Sequence, residues 1–194
     1  MKKIDFLKKK RLIQNVFLII VIFSTFKYHN VYNEKRKFLD LQNVNLNIAI
    51  KANTLDKKFN GLNWVTPIYF SNNPKKEIDL LKKSLFILKN DKSEKMLITH
   101  YQFFSLILNQ NLNIPNRWYF PNNTFPSSYE NKYYDHYIKK FKEKITNRGI
   151  DTIYILETYP GEFGFLKFDD LIGKKCYEKE EQNQFLLKIN LLRC

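Results

Sequence analysis

The start of the chain joins a strongly basic segment to an apolar one, and this pairing constrains the fold more than any other feature. Lysine dominates residues 2–11, and residues 12–26 are largely apolar before Lys27 closes the run. A helix over residues 12–28 spans roughly 25 Å, slightly less than the bilayer hydrocarbon core of about 30 Å. The end of the run lacks a small-residue cleavage site, and a buried core helix rarely follows so many charges. The segment therefore predicts an uncleaved membrane anchor, with a cleaved signal peptide and a buried core helix as the alternatives.

The distribution of basic residues predicts on which side of the membrane the rest of the chain lies. The dense positive cluster precedes the apolar run, and by the positive-inside rule this places the N-terminus in the cytoplasm. Lys35, Arg36 and Lys37 follow the run and weaken the asymmetry. The sequence thus predicts a single-pass protein of a bacterial inner membrane whose C-terminal domain lies in the periplasm.

Hydrophobic periodicity divides the chain into an N-terminal anchor region, residues 1–41, and an extracytoplasmic domain, residues 42–194. Helical spacing from residue 31 to residue 41 predicts an extension of the anchor helix. In the domain, apolar runs and alternation predict strands between amphipathic helices. Strands are expected at residues 43–50, 96–99, 150–157 and 184–192, and helices at residues 75–90, 100–108, 131–147 and 166–174. This order predicts an α/β fold with a small, mainly parallel sheet and helices on both faces, a Rossmann-like three-layer arrangement.

The net charge of +14 at pH 7 suggests an anionic partner, but the amino-acid usage offers a simpler explanation. Lys, Asn, Ile, Phe and Tyr are abundant, and alanine occurs only at Ala49 and Ala52, which is typical of A/T-rich genomes. Lysine also greatly outnumbers arginine, the residue that nucleic-acid-binding proteins favour for two-pronged contacts to bases and phosphates. We therefore expect the lipid bilayer, and no nucleic acid, as a partner.

The chain has few residues of the kinds that bind metals or cross-link small domains. Its two cysteines and three histidines exclude a disulfide framework, a cysteine-based zinc module and a histidine-rich metal site. No phosphate-binding glycine loop or other cofactor motif occurs, so neither a metal nor a cofactor is expected. Cys176 and Cys194 could pair in an oxidising periplasm, but the last residue of a chain is rarely a structural cross-link, so free thiols are expected.

Candidate ligand-binding residues follow two of the predicted strands, because ligands in open α/β sheets gather at the carboxyl ends of strands. His100 and Tyr101 follow the strand at residues 96–99, and Glu157 ends the strand at residues 150–157. A loop with an arginine and two aromatic residues is expected to lie over these ends. Such a group suits a sugar or a lipid-phosphate headgroup, since aromatic faces stack on sugar rings and arginine grips phosphate with two donors. The candidate binding residues are His100, Tyr101, Arg117, Trp118, Tyr119 and Glu157.

These residues also have a purely structural interpretation. His100 would then complete the start of a helix, Glu157 would pair with a lysine, and Trp118 would pack over the edge of the sheet. The sequence leaves both interpretations open.

Three segments carry a resemblance to a known class of membrane enzymes. They are Asp56–Pro67, Thr99–Phe104 and Pro115–Tyr119, which read DKKFNGLNWVTP, THYQFF and PNRWY. Through them the chain resembles the extracytoplasmic C-terminal region of polytopic bacterial membrane proteins of GT-C glycosyltransferase type, the class that includes dolichyl-phosphate-mannose–protein mannosyltransferases. The resemblance implies that residues 12–28 correspond to a last transmembrane helix and that a polytopic subunit or a lipid-linked sugar is the partner. In that class the catalytic acid lies in an early loop between transmembrane helices, so no catalytic residue is carried over to this chain.

Three functional hypotheses follow from the sequence. The first is a domain that is non-catalytic alone and binds a glycan or a partner at the cell envelope. The second is a stand-alone hydrolase or transferase with His100 and Glu157 as acid and base, which requires both within hydrogen-bond reach of one substrate. The third is a binder of anionic lipid or nucleic acid, which requires lysines clustered on one face and binding that falls steeply with salt.

Overall fold

The chain forms two compact units, Met1–Leu46 and Asn47–Cys194. The predicted domain boundary between residues 41 and 42, and most of the predicted extension of the anchor helix, lie outside the described residues. The computed structural model describes residues 2–31, 45–66, 70, 73–119, 125–158 and 161–192.

The first unit contains one long helix, α1, over Lys2–Tyr28. The segment Arg11–Val31 is long and apolar enough to cross a membrane by length and composition, and none of its most apolar stretch is buried against protein. Phe17 and Ile19 on this segment are 68% and 65% exposed. A membrane span and a signal sequence near the N-terminus both have this length and composition. The predicted N-terminal apolar helix is therefore confirmed.

The second unit begins with a two-stranded antiparallel sheet of β1, Ile50–Lys51, and β2, Asn63–Trp64. The remaining strands form one larger sheet, in the order β3-β4-β6-β5, with β3 over Lys95–Thr99, β4 over Thr152–Leu156, β5 over Tyr177–Asn183 and β6 over Leu186–Leu191. The helices over Pro74–Asn90 and Tyr134–Arg148 lie close to their expected bounds, whereas the helix expected at residues 166–174 covers only Phe168–Leu171. Gly149 ends the helix over Tyr134–Arg148 in the left-handed conformation that glycine favours. The α-helices of this unit are α2 (Pro74–Asn90), α3 (Phe104–Leu108), α4 (Tyr134–Arg148) and α5 (Phe168–Leu171).

The larger sheet is mixed, so the prediction of a mainly parallel, Rossmann-like sheet is wrong. β3 and β4 are parallel, whereas β6 pairs with both β4 and β5 in antiparallel fashion. β5 and β6 form a hairpin, in which the Asn183 side chain accepts hydrogen bonds from the backbone N–H groups of Phe185 and Leu186. The sequence does not predict β5, because its residues YEKEEQN lie at the edge of the sheet, where charged side chains face water.

Successive residues of the central strands belong to two different buried clusters, because side chains alternate between the faces of a sheet. Leu97 and Tyr154 pack in one cluster with Leu81 of α2. Met96 and Ile153, their neighbours in sequence, pack in the other cluster. That second cluster also includes side chains of α4 and α5. The fold is thus a mixed α/β domain around a small mixed sheet.

Two further predictions of local structure need correction. The strand expected at residues 43–50 is largely absent from the described residues, because Leu46–Ile48 forms a 3-10 turn and pairing begins only at Ile50. The helix expected from His100 begins instead at Phe104. The Thr99 hydroxyl accepts a hydrogen bond from the backbone N–H of Tyr101, a local turn that delays the start of the helix.

Asp91, which follows the last turn of α2, connects that helix to two strands. Its carboxylate accepts hydrogen bonds from the Tyr154 hydroxyl on β4 and the Ser93 backbone N–H, and it lies 3.5 Å from the Lys188 ammonium on β6. Partial burial opposes ionisation, but the Tyr154 and Ser93 hydrogen bonds and the Lys188 charge outweigh it and hold the pKa of Asp91 well below its usual range. The charged form of Asp91 therefore stabilises this corner of the fold.

Cys176, at the start of the β5 hairpin, is disulfide-bonded, and no described cysteine is free. The expectation of a free thiol is therefore wrong for Cys176, while Cys194 lies outside the described residues. The Cys176 carbonyl accepts a hydrogen bond from the Leu192 backbone N–H at 2.8 Å, so the end of the described chain is held beside it. Disulfides persist in oxidising compartments and are rare in reducing ones.

Candidate functional site

The carboxyl ends of β3 and β4 lie side by side, because these two strands are parallel neighbours. Thr99 and Leu156, their last residues, are partners in the register. His100 and Glu157 follow them directly, so both leave the sheet at the same edge. The predicted gathering of candidate residues at one sheet edge therefore occurs at this pair of strands.

Glu157 shapes the turn that follows β4. One carboxylate oxygen accepts a hydrogen bond from the Gly161 backbone N–H at 2.9 Å, and the other accepts from the Phe163 backbone N–H at 3.1 Å. Gly161 has a φ of 80°, which L side chains rarely adopt. Glu157 thus holds a tight turn through backbone donors. Its structural interpretation expected a lysine partner, and no described lysine forms an ion pair with it.

Glu162, in this same turn, is the carboxylate that contacts His100. Its Oε1 lies 3.5 Å from the His100 Nε2, and its side chain is only 8% exposed. Thr158 orients the carboxylate, since its backbone N–H donates to Oε2 at 2.6 Å and its hydroxyl donates to Oε1 at 2.9 Å. The turn after β4 therefore presents a fixed carboxylate to the histidine that follows β3.

Aromatic rings enclose the His100 imidazole. The Phe163 ring stacks on it at a centroid distance of 5.5 Å, and the Tyr119 ring meets it edge to face at 5.8 Å. Tyr119 is 2% exposed, and burial raises the pKa of its hydroxyl. The segment before Tyr119 lies along the outer edge of β3, where the Leu112 carbonyl accepts a hydrogen bond from the Leu97 backbone N–H at 2.9 Å. The predicted position of this loop beside His100 is therefore confirmed for Tyr119.

The two residues before Tyr119 are exposed. Trp118 is 48% exposed, and the Arg117 guanidinium carbon lies 5.5 Å from the centre of its ring. This distance is within the range of a cation–π interaction. The buried Tyr119 anchors the loop next to His100, and the exposed pair beside it presents a cation and an aromatic face to solvent. About half of the Trp118 side chain is therefore accessible to a ligand.

Tyr101 belongs to a second cluster, centred on the buried carboxylate of Glu77 in α2. The Tyr101 hydroxyl donates to one Glu77 oxygen at 2.5 Å. The other oxygen accepts hydrogen bonds from the Trp64 indole N–H, at 2.9 Å, and from the Thr66 hydroxyl. Burial raises the pKa of Tyr101, and the nearby Glu77 charge adds to this effect. We assign Tyr101 to the packing of α2 against the segment around β2.

The structure thus brings His100, Glu157 and Tyr119 to one edge and turns Tyr101 toward the interior. Sequence reasoning missed Glu162 and Glu77. Helical spacing could have revealed Glu77, because it lies four residues before the buried Leu81 on the same side of α2. No comparable signal marks Glu162, whose position depends on the turn that Glu157 holds.

Among the described residues, no group of three or more His, Cys, Asp or Glu side chains is arranged to hold a metal ion. The chemistry available at the edge is therefore that of a histidine, a fixed carboxylate, an arginine and aromatic faces. Comparison of the chain with protein-family models, curated proteins and solved structures gave no match.

Proposed function

We propose that this chain is a single-pass protein of a bacterial inner membrane whose periplasmic domain binds a phosphate-bearing glycan, such as a lipid-linked sugar. The binding edge lies after β3 and β4 and includes His100, Glu162, Arg117 and Trp118. The observation that carries the proposal is the exposed Arg117–Trp118 pair, held beside His100 by the buried Tyr119.

The chemistry of this edge matches the two parts of such a ligand. An exposed indole face stacks on a sugar ring, and a guanidinium binds phosphate oxygens with two parallel donors. The Glu162 carboxylate and His100, fixed by Thr158 and Phe163, supply polar groups for sugar hydroxyls. The resemblance to the tail region of GT-C glycosyltransferases supports the same ligand class and adds a polytopic membrane subunit as a partner.

Two features support the proposed location. The helix at Arg11–Val31 suits a membrane span, and the basic residues before it favour a cytoplasmic N-terminus. The disulfide at Cys176 favours an oxidising compartment such as the periplasm. Both features agree with an anchored domain that faces outward.

The domain binds and does not catalyse in this proposal. A hydrolase or transferase with Glu157 as acid or base needs that carboxylate free to exchange a proton with substrate. Both of its oxygens accept backbone hydrogen bonds at 2.9 and 3.1 Å, and these bonds hold the turn that presents Glu162. The geometry therefore favours a structural role for Glu157 over an acid–base role.

The proposal predicts that farnesyl-phosphate-linked mannose binds the detergent-solubilised full chain and that R117A and W118A each weaken the affinity about tenfold. A tenfold loss corresponds to about 1.4 kcal/mol. Farnesyl phosphate lacks the sugar on which Trp118 is proposed to stack. The W118A substitution should therefore not alter the affinity of the chain for farnesyl phosphate. Isothermal titration calorimetry measures each of these affinities directly.

A second exposed cation–aromatic pair provides the matched control. The Lys132 ammonium lies 4.9 Å from the centre of the Tyr133 ring, and Tyr133 is 60% exposed. K132A and Y133A should leave the affinity unchanged. Equal losses in all four variants, or no binding by the unmodified chain, would contradict the proposed site.

A further inference from the structure

The solvent-facing side of α2 is strongly basic and is separate from the candidate binding edge. We call this side the lysine face. It carries one acidic residue, Asp79, among five lysines, and it is opposite the buried stripe that includes Leu81 and Leu88. The residues of the lysine face are Lys75, Lys76, Asp79, Lys82, Lys83, Phe86 and Lys89, all of them exposed.

Within the part of the chain that the structure describes, no lysine of this face forms an ion pair with a carboxylate. In the described part of the chain, the close contacts between acidic and basic side chains are His100–Glu162, Lys140–Glu143 and Lys188–Asp91, and none includes a lysine of α2. Two surface clefts open beside the helix, one lined by Lys75, Lys76 and Lys83 and the other by Lys82, Lys83 and Phe86. The face therefore presents a continuous positive surface to whatever approaches it.

Phe86 stands among these lysines with 69% of its surface exposed. Its neighbours in sequence, Leu85 and Ile87, are buried or half-buried, so Phe86 points outward because of its position on the helix. An exposed aromatic ring surrounded by lysines is the combination found on helices that lie against lipid headgroups. The ring can enter the apolar boundary while the lysines contact the phosphates.

We propose that the lysine face docks on the surface of a bilayer rich in anionic phospholipid, with Phe86 inserted at headgroup depth. The inference rests on the anchor of the proposed function, because a tethered domain meets the membrane at a high effective concentration. Charge complementarity with anionic headgroups and the exposed Phe86 favour lipid over nucleic acid, since nucleic-acid surfaces depend more on arginine.

The exposed side of α4 is a natural comparison surface within the same domain. It also carries lysines, at Lys139 and Lys140, but Lys140 is paired with Glu143 at 2.8 Å. It has no exposed large apolar side chain, in contrast to Phe86 on α2. His136, which is exposed on α4, is therefore a matched control position for Phe86.

The test uses the full chain in lipid nanodiscs that contain a spin-labelled quencher lipid at headgroup depth. The variants F86W and H136W each add one tryptophan, and the wild-type spectrum supplies the background. Nanodiscs of phosphatidylglycerol and phosphatidylcholine are compared with nanodiscs of phosphatidylcholine alone. We expect F86W quenching about twofold greater in the anionic nanodiscs. It should fall to the phosphatidylcholine level in 1 M salt, where the Debye length is about 3 Å.

The remaining variants separate docking from anchoring. K82Q/K83Q in the F86W background should abolish the difference between the two lipids, and H136W should be quenched equally in both. A chain that enters nanodiscs but gives equal F86W quenching in both lipids overturns the docking proposal alone. A chain that does not elute with the nanodiscs overturns the anchor, and docking with it. An F86W response to a short RNA but not to anionic lipid overturns docking in favour of a nucleic-acid surface.

Discussion

Replacement of Glu77 by alanine is expected to lower the free energy of unfolding by about 3–5 kcal/mol. Three donors, the Trp64 indole N–H, the Thr66 hydroxyl and the Tyr101 hydroxyl, share this carboxylate. Glu77 is 6% exposed, so water does not replace the lost acceptor. Hydrogen bonds to a charged group contribute more than neutral ones, and buried donors without an acceptor are costly. The loss should therefore exceed that of an ordinary buried hydrogen bond.

Near-UV circular dichroism of the full chain in detergent measures this loss, because the signal reports aromatic packing and not the helix content of α1. The expected decrease in melting temperature is about 10 °C. Asp79→Ala is the matched control, since Asp79 lies on the exposed side of the same helix. It should change the free energy by no more than about 0.5 kcal/mol. Equal melting temperatures for E77A and D79A would show that the buried cluster contributes little to stability.

Replacement of Asp91 by asparagine should lower the free energy of unfolding by about 2 kcal/mol at pH 7 and by less at acidic pH. The asparagine keeps the shape of the side chain but loses the charge that faces Lys188 and accepts the Tyr154 hydrogen bond. Because the pKa of Asp91 is lowered in the folded chain, its stabilising effect is complete above the unfolded value of about 3.9. The effect is lost as the pH falls toward the folded value.

Denaturant unfolding of wild type and D91N at several pH values tests this dependence. The difference between their free energies of unfolding should be constant from pH 7 to about pH 5 and should be smaller by about 1 kcal/mol at pH 3. D79N provides the comparison for an exposed carboxylate on the adjoining helix, and its free energy of unfolding should differ from that of wild type by no more than about 0.5 kcal/mol. A D91N difference that is the same at pH 7 and pH 3 would contradict the assigned role of the Asp91 charge.

The parts of the fold that sequence reasoning recovers are those in which one side of an element is buried. The stripe of α2 and the apolar runs of β3 and β4 carry periodic signals, and the structure confirms these elements close to their expected bounds. β5 carries no such signal, because an edge strand with both faces exposed to solvent need not alternate apolar and polar residues. The sequence of a short strand does not reveal whether it pairs in parallel or antiparallel fashion. A mainly parallel sheet is therefore predicted where the structure has a mixed one.

In the candidate site, the sequence predicts which residues leave the sheet at the same edge but not which side chains they contact. The rule that ligand-binding residues follow parallel strands correctly places His100 and Glu157 at one edge, because β3 and β4 are parallel neighbours. It cannot assign roles there, since these depend on contacts made by the turn after β4. Glu157 holds that turn, and Glu162 contacts the histidine. Tyr101, one residue after His100, contacts Glu77 of α2 instead.

The most direct test of the whole account is the position of the domain in bacterial cells that express the full chain. Membranes are washed with alkaline carbonate, and intact spheroplasts are treated with protease, with an antibody against residues 75–194 as the readout. We expect the chain to stay in the washed membranes and protease to remove the epitope without lysis. An epitope that is protected until the cells are lysed, or a chain released by carbonate, would contradict an anchored domain that faces the periplasm.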